Sequence, residues 1–221
     1  IPNGSPYETN KLFDRQEIIK NRCKESNLPV IYLNLVGGQD DLVFDGGSFI
    51  LDNKGTSVCQ FPQFVEKTHQ VIFEKTKSVW VPLPIVSDKI GSNSCQDYKA
   101  IVLGLRDYVL KSNFNKVVIG LSGGIDSALV AVMAVDALGS DNVVCIALPS
   151  KFNSMGSVDD ANELSRNLGV TLETIPIQEI IDKADQLLAP LFVGKKRDVT
   201  EENIQSRLRA VFLMAFSNKE K

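Results

Sequence analysis

The pattern of apolar and polar positions changes character near the middle of the 221-residue chain. In the first eighty residues the helical signal is confined to Lys11–Ser26, where Leu12, Ile18, Ile19 and Cys23 recur on one side. After Pro29 the run from Val30 to Val36 is dominated by apolar residues, as in a strand covered on both faces. The stretch Leu42 to Leu51 leads into Asp52-Asn-Lys-Gly55, a turn signal between two strand-like runs, which predicts a hairpin. Weaker alternation between Phe61 and Trp80 predicts a further strand around Gln70–Glu74. Val81–Gln96 lacks periodicity and carries Pro82, Pro84 and Gly91, so it reads as a linker. The expected domain boundary therefore falls near residue 90, dividing the chain into 1–90 and 91–221.

The second half alternates between periods. A helix over about Asp97–Lys111, with Ile101, Leu103, Leu105 and Tyr108 apolar, precedes a short strand at Val117. A helix from about Asp126 to Leu138 follows and stops at Gly139, a residue suited to a C-terminal cap. Val143–Leu148 is a second buried strand, ended by Pro149. Ser157 is expected to cap a helix with Asp159 and Asp160 in its first turn and Gly169 past its end. Leu172–Ile177 is a third strand, followed by helices over Glu179–Leu188 and Glu201–Ser217. Strand–helix–strand–helix–strand predicts an α/β fold with a parallel, doubly wound sheet and right-handed crossovers. Ligands in such sheets bind beyond the carboxyl ends of the strands. The turn around Ser122 and the segment Pro149-Ser150-Lys151 both lie there.

Composition narrows the function classes without choosing one. Hydrophobic residues make up 43% and charged residues 23%, with a net charge of −3, as in an ordinary globular protein. No block of Lys and Arg provides a nucleic-acid surface. No apolar run approaches the roughly 18 residues of a membrane span. Cys23, Cys59, Cys95 and Cys145 are widely spaced and the only histidine is His69, so neither a zinc site nor a disulfide framework is expected. That usage fits a reduced, cytoplasmic compartment.

The chemistry is concentrated in Gly120-Leu-Ser-Gly-Gly-Ile-Asp-Ser127, directly after the apolar Val117-Val-Ile. A glycine-rich turn between strand and helix presents backbone N–H groups and the Ser122 and Ser127 hydroxyls to an anion. The helix dipole adds roughly half a positive charge there. Asp126 would repel a bare anion, so its presence implies a divalent cation between carboxylate and phosphates. Neither Gly-x-x-x-x-Gly-Lys-[Ser/Thr] nor Gly-x-Gly-x-x-Gly occurs, and no lysine lies inside the turn. The motif instead resembles the Ser-Gly-Gly-x-Asp-Ser pyrophosphate loop of the N-type ATP pyrophosphatases, which cleave ATP between its α and β phosphates. Such a loop belongs to an adenine nucleotide α-hydrolase-like fold.

Two more stretches sharpen the resemblance: Ala147-Leu-Pro-Ser-Lys-Phe-Asn-Ser-Met-Gly-Ser157 and Thr200-Glu-Glu-Asn-Ile-Gln-Ser-Arg-Leu-Arg209. Together with the loop they resemble NAD synthetase. Ser5-Pro-Tyr and Val36-Gly-Gly-Gln-Asp-Asp-Leu-Val-Phe-Asp-Gly-Gly-Ser48 resemble the end of a nitrilase-like α/β sandwich, a glutaminase. That combination is the arrangement of the glutamine-dependent NAD synthetase family. The resemblance implies a ligase that adenylates the nicotinate carboxylate of deamido-NAD with ATP and then admits ammonia, released from glutamine, to displace AMP. It implies that Gly120, Leu121, Ser122, Gly123, Gly124, Ile125, Asp126 and Ser127 bind ATP, that Asp126 holds Mg2+, and that Ala147–Leu148 passes the adenine edge. It further implies that Asn203 and Arg207 contact deamido-NAD and that Ser5 and Lys11 hold glutamine. A homo-oligomer acting on small molecules, without nucleic acid or membrane, is the expected partner set.

The chain also departs from the family pattern. The family's Glu, Lys and Cys glutaminase triad would precede Ile1, and none of the four cysteines stands in the nucleophile's context. After Ser217-Asn-Lys the family continues with a strand and a Gly-Asn-Lys-Ser-Glu segment. A piece of a longer enzyme, weak or inactive alone, is therefore the expectation. Two alternatives stay open at this point: another AMP-forming pyrophosphatase of the same loop type, or a non-catalytic nucleotide-binding fragment.

Overall fold

The computed structural model describes residues 1–77, 79–151 and 155–220. They divide into two compact units, Ile1–Ser112 and Asn113–Lys221. Among the described residues no helix is long and apolar enough to cross a membrane.

The first unit contains β1 (Pro2–Asn3), α1 (Lys11–Ser26), β2 (Val30–Asn34), β3 (Val36–Gln39), β4 (Leu42–Asp45), β5 (Phe49–Leu51), β6 (Ser57–Gln60), β7 (Phe73–Thr76), β8 (Val79–Pro82) and α2 (Asn93–Lys111). A four-stranded sheet runs β1-β2-β5-β6, parallel between β1 and β2 and antiparallel beyond. The predicted hairpin is β5–β6, and its turn is held by Asp52 Oδ1, which accepts from the Lys54 and Thr56 amides at 2.8 and 2.7 Å. Helix α1 covers one sheet face, packing Ile19 and Cys23 on Tyr32, Phe49 and Leu51. The rings of Tyr32 and Phe49 stack with centroids 4.8 Å apart.

Two expectations are corrected here. The run from Val30 to Val36 is not one strand covered on both faces. It ends at Asn34, Leu33 and Leu35 are 56% and 52% exposed, and Val36 pairs with Asp45 in the separate hairpin β3–β4. On α1 the buried stripe is Arg15, Ile19 and Cys23, while Ile18 is exposed. An i, i+4 line through an arginine is invisible to a hydrophobic count, because the guanidinium is buried only by virtue of partners distant in sequence. The compact units divide at Ser112 and Asn113, so α2, which follows the boundary expected near residue 90, packs with the first unit. Ala100 and Leu103 of α2 pack with Phe64 against Val36 and Val43. The helix approaches the β3–β4 hairpin so closely that a Cβ at Gly38 would stand 3.2 Å from the Gly104 Cα. Asp107 accepts the Gly38 amide at 2.7 Å.

The second unit holds β9 (Val117–Gly120), α3 (Ile125–Leu138), β10 (Val143–Ala147), α4 (Met155–Leu168), β11 (Thr171–Thr174), α5 (Gln178–Leu188) and α6 (Val199–Lys219). The sheet order is β11-β10-β9 and both pairings are parallel, as predicted. Successive side chains of β10 alternate between faces. Val144 and Ile146, with Val118, meet Ile177, Ile181, Leu208, Phe212, Leu213 and Phe216 from α5 and α6. Cys145 and Ala147 turn to the other face, which α3 and α4 cover. The buried residues of α3 are Ala131, Ala134 and Ala137, small enough to let helix and sheet approach closely. Ser157 lies inside α4 rather than capping it, because the helix opens at Met155. The third strand ends at Thr174, and Ile177 caps α5.

Candidate functional site

The turn after β9 is built by its two serines and two glycines. Leu121 still belongs to the sheet edge, its amide donating to the Ile146 carbonyl at 2.9 Å. Ser122 and Ser127 then meet, hydroxyl to hydroxyl, at 3.0 Å. The Ser122 amide donates to Ser127 Oγ at 3.2 Å, and Ser127 Oγ donates to the Gly124 carbonyl at 3.0 Å. The Gly124 amide donates to Ser122 Oγ at 3.2 Å. These short-range bonds fold the turn back over the start of α3. Gly123 has φ +81°, and a Cβ there would fall 2.0 Å from the Ser157 carbonyl oxygen, so only glycine fits beneath the first turn of α4.

Gly124 is the N-cap of α3 in extended conformation, with no side chain capping the helix. The first-turn amides, from Ile125 on, have no intrahelical carbonyl to bond. They form a donor cluster at the positive end of a helix, beside two serine hydroxyls that are bonded within the turn. Ile125 is 80% exposed and Asp126 is exposed as well, in the first turn. Among the described residues no group of three His, Cys, Asp or Glu side chains is placed to share a metal ion. A single carboxylate suits Mg2+ that takes its other ligands from water and substrate phosphates.

Gly120, Leu121 and Ser122 open into a cavity of about 500 Å3. Its floor is the carboxyl end of β10, Ile146 to Pro149, and its walls are α4 at Ser157, Val158 and Ala161 and α6 at Ser206, Arg209, Ala210 and Leu213. Ligands of an open parallel sheet bind at this end. Leu213 also packs beside the turn, 3.1 Å from where a Cβ on Gly120 would be. Of the expected stretch 147–157, residues 152–154 lie outside the described residues.

Asn203 and Arg207 do share one side of α6, and the Arg207 Nη1 donates to the Asn203 carbonyl at 3.1 Å. Both are exposed and neither lines this cavity. The α6 residues that do line it were overlooked in the sequence. Their signal was present in the spacing of Ser206, Ala210 and Leu213, which marks a second face of the same helix. A capping box starts α6: Asp198 accepts the Thr200 amide at 2.8 Å while Glu201 accepts the Asp198 amide at 2.9 Å. That Thr200 contact holds the Asp198 carboxyl below its ordinary pKa.

In the first unit Ser5 and Lys11 have different surroundings. The Ser5 amide donates to Asn34 Oδ1 at 2.8 Å, and its hydroxyl accepts from Arg15 Nε at 3.0 Å. Lys11 opens α1 and pairs with Glu8. Arg15 is the hub. It also donates to the Ser5 and Pro6 carbonyls at 2.9 and 2.8 Å and to Asp45 Oδ1 at 2.8 Å. Nothing in the linear pattern marks Asp45 and Arg15 as partners. His69 stacks loosely on Phe61, with centroids 4.7 Å apart.

Residues 97–221 match the family described as NAD synthase. The chain belongs to the NAD synthase family. It is 52% identical over 221 residues to the glutamine-dependent NAD(+) synthetase of Rhodobacter capsulatus, covering 99% of this chain and 40% of the relative. The corresponding enzyme of Xanthomonas campestris pv. campestris is 46% identical over 99% of this chain and 40% of its own length. Among solved structures, the glutamine-dependent NAD+ synthetase of Acinetobacter baumannii in complex with adenosine diphosphate superposes with a TM-score of 0.92 at 39% identity. That match covers 98% of this chain and 41% of the other. The chain thus spans about two fifths of the length of the NAD synthetases it matches.

Proposed function

We propose that the second unit is the nucleotide-binding part of a C–N bond-forming ligase that makes NAD from deamido-NAD with ATP. The observation that carries this reading is the donor cluster of Ser122, Ser127 and the α3 first turn, opening into a cavity along the ends of β9 and β10. In this reading the turn holds the leaving pyrophosphate, while the cavity floor at Ala147 and Leu148 takes the adenine. The nicotinate carboxylate attacks the α-phosphorus, the bond to the β-phosphate breaks, and pyrophosphate departs. Ammonia then adds to the acyl carbon of the adenylate, loses a proton, and AMP leaves. Mg2+ held by Asp126 together with the phosphates would neutralise charge on the departing group. The turn's amides are preorganised for that charge and need no reorganisation as it develops.

The proposal extends to the rest of the expected site. Asn203 and Arg207, exposed on α6, are the deamido-NAD contacts. Ser5 and Lys11 are the glutamine contacts, supported by the order that Arg15 imposes on the Ser5 segment. Four free cysteines, three of them buried, fit a reducing cytoplasm. Exposed apolar residues on α6, Val211 and Met214 at 62% and 60%, support association into a homo-oligomer.

Calorimetric titration with ATP and Mg2+ tests the reading, with an Asp126→Ala variant alongside. Saturable binding that Asp126→Ala weakens at least tenfold is the expected result, followed by little pyrophosphate release when deamido-NAD is added to this chain. Binding that ignores both Mg2+ and Asp126 would overturn the metal role. Absence of any nucleotide binding would overturn the function.

A further inference from the structure

The cavity holds a cation that the motif does not contain. Arg209 lies on α6, half-buried, in the same cavity wall as Ser206 and Leu213 and facing the same space as Ser122. Its Nε donates to the Leu148 carbonyl and its Nη2 to Ser150 Oγ, each at 3.3 Å. Those bonds use two of the five guanidinium N–H donors and, among the described residues, leave Nη1 with both of its hydrogens. Among the described residues no carboxylate forms an ion pair with it, in contrast to Arg197, which meets Asp185 at 2.8 Å, and Arg15, which meets Asp45 at 2.8 Å. A half-buried guanidinium without a counter-ion is costly unless an anion joins it. Meanwhile the turn offers only amides and hydroxyls, with no lysine from Gly120 to Ser127.

We propose that Arg209 is the phosphate-contacting cation of the nucleotide cavity, supplying from α6 the positive charge that the Gly120–Ser127 turn lacks. The inference rests on the nucleotide reading above and deepens it. The two bonds to the end of β10 orient the guanidinium plane, so the free edge meets a phosphate without first losing side-chain freedom. A planar fork binds two phosphate oxygens at once, which an ammonium does not. Arg209 also ties α6 to the carboxyl end of β10, so nucleotide bound across the two would sense the position of the helix.

The experiment compares ATP and adenosine, both titrated calorimetrically in the presence of Mg2+ into the full chain and its variants. Arg209→Met is expected to weaken ATP binding roughly ten- to hundredfold, the scale of a lost charge-assisted hydrogen bond. Adenosine, which has no phosphate, is expected to change less than twofold. Arg209→Lys keeps the charge and stem and is expected to recover part of the ATP loss; it also carries the test if the Met variant does not fold. Arg166→Met, an exposed arginine of α4, is the control and should leave both affinities unchanged. Equal losses for ATP and adenosine would make Arg209 a brace for the strand end and overturn the proposal, as would unchanged ATP binding. A wild-type chain that binds adenosine and ATP alike would also overturn it. One that binds neither would bring down the nucleotide reading itself.

Discussion

Removing the Asp45 carboxylate is the sharpest test of what holds the first unit together. Asp45 is 1% exposed and its partner Arg15 6%. Its oxygens accept from Arg15 Nη1 at 2.8 Å, from Gln63 Nε2 at 2.9 Å and, more weakly, from Asn34 Nδ2 at 3.5 Å. Asp45→Ala deletes the acceptor and leaves the guanidinium buried, still bound to Ser5 and Pro6 but without a counter-charge. Breaking a buried pair from one side costs about 3–5 kcal/mol. With a urea slope of about 2 kcal/mol/M for a unit of this size, the midpoint should fall by roughly 2 M. The single tryptophan, Trp80, lies in this unit, so its fluorescence follows the transition. Glu25→Ala removes an exposed ion pair with Arg22 and should cost no more than about 1 kcal/mol. The double replacement Arg15→Met with Asp45→Leu should recover much of the loss, because neither charge then needs water. A midpoint for Asp45→Ala within the error of the Glu25→Ala value would refute the reasoning, and the network would be packing rather than electrostatics.

Other outcomes follow from single contacts. Gly123→Ala must both adopt a left-handed backbone, at about 1–2 kcal/mol, and displace the Ser157 carbonyl from 2.0 Å. Thermal unfolding should show destabilisation together with a loss of Mg2+–ATP affinity beyond tenfold, and an unchanged variant on both counts would mean the turn is not pinned by α4. The Tyr7 hydroxyl donates to Asp97 Oδ1 at 2.7 Å, and burial, then that bond, pushes its pKa up to about 12 from 10.0. A raised folded-state value stabilises below the unfolded pKa and is lost as pH climbs through the folded one. Stability should therefore decline between pH 10 and pH 12, and Tyr7→Phe should be weaker at pH 8 yet flatter over that window, as read from unfolding midpoints at each pH.

The legibility of the chain divides along physical lines. Strand–turn–helix order in the second unit was plain, because apolar periodicity and the glycine caps at Gly139 and Gly169 are local properties of a few neighbouring residues. The same holds for the Asp52–Gly55 turn, whose carboxylate reaches only two and four residues ahead. Less legible was the first unit, where β-strands take their faces from sheets assembled over long sequence separations. Ile18 was placed on the apolar side of α1 but is exposed, while Arg15 is buried because Asp45, thirty residues on, supplies the counter-charge. Helix α2, most of which lies within the matched residues 97–221, packs with the first compact unit through its glycine-lined approach to β3–β4, a contact no local pattern announces.

By itself the sequence determined the Gly120–Ser127 turn, since two glycines, two serines and a carboxylate in a strand-to-helix step specify donors and conformation within eight residues. It determined the parallel sheet as well, because alternating strands and helices leave one handed solution. Tertiary structure alone decided which side chains face that turn. Asn203, Arg207 and Arg209 stand within seven residues of one helix, and only the packing of Leu208, Phe212 and Leu213 against the sheet sets the helix rotation. That rotation brings Arg209 into the cavity wall and leaves Arg207 in solvent. Periodicity tells which residues share a face; the partner that buries one face decides what the others see.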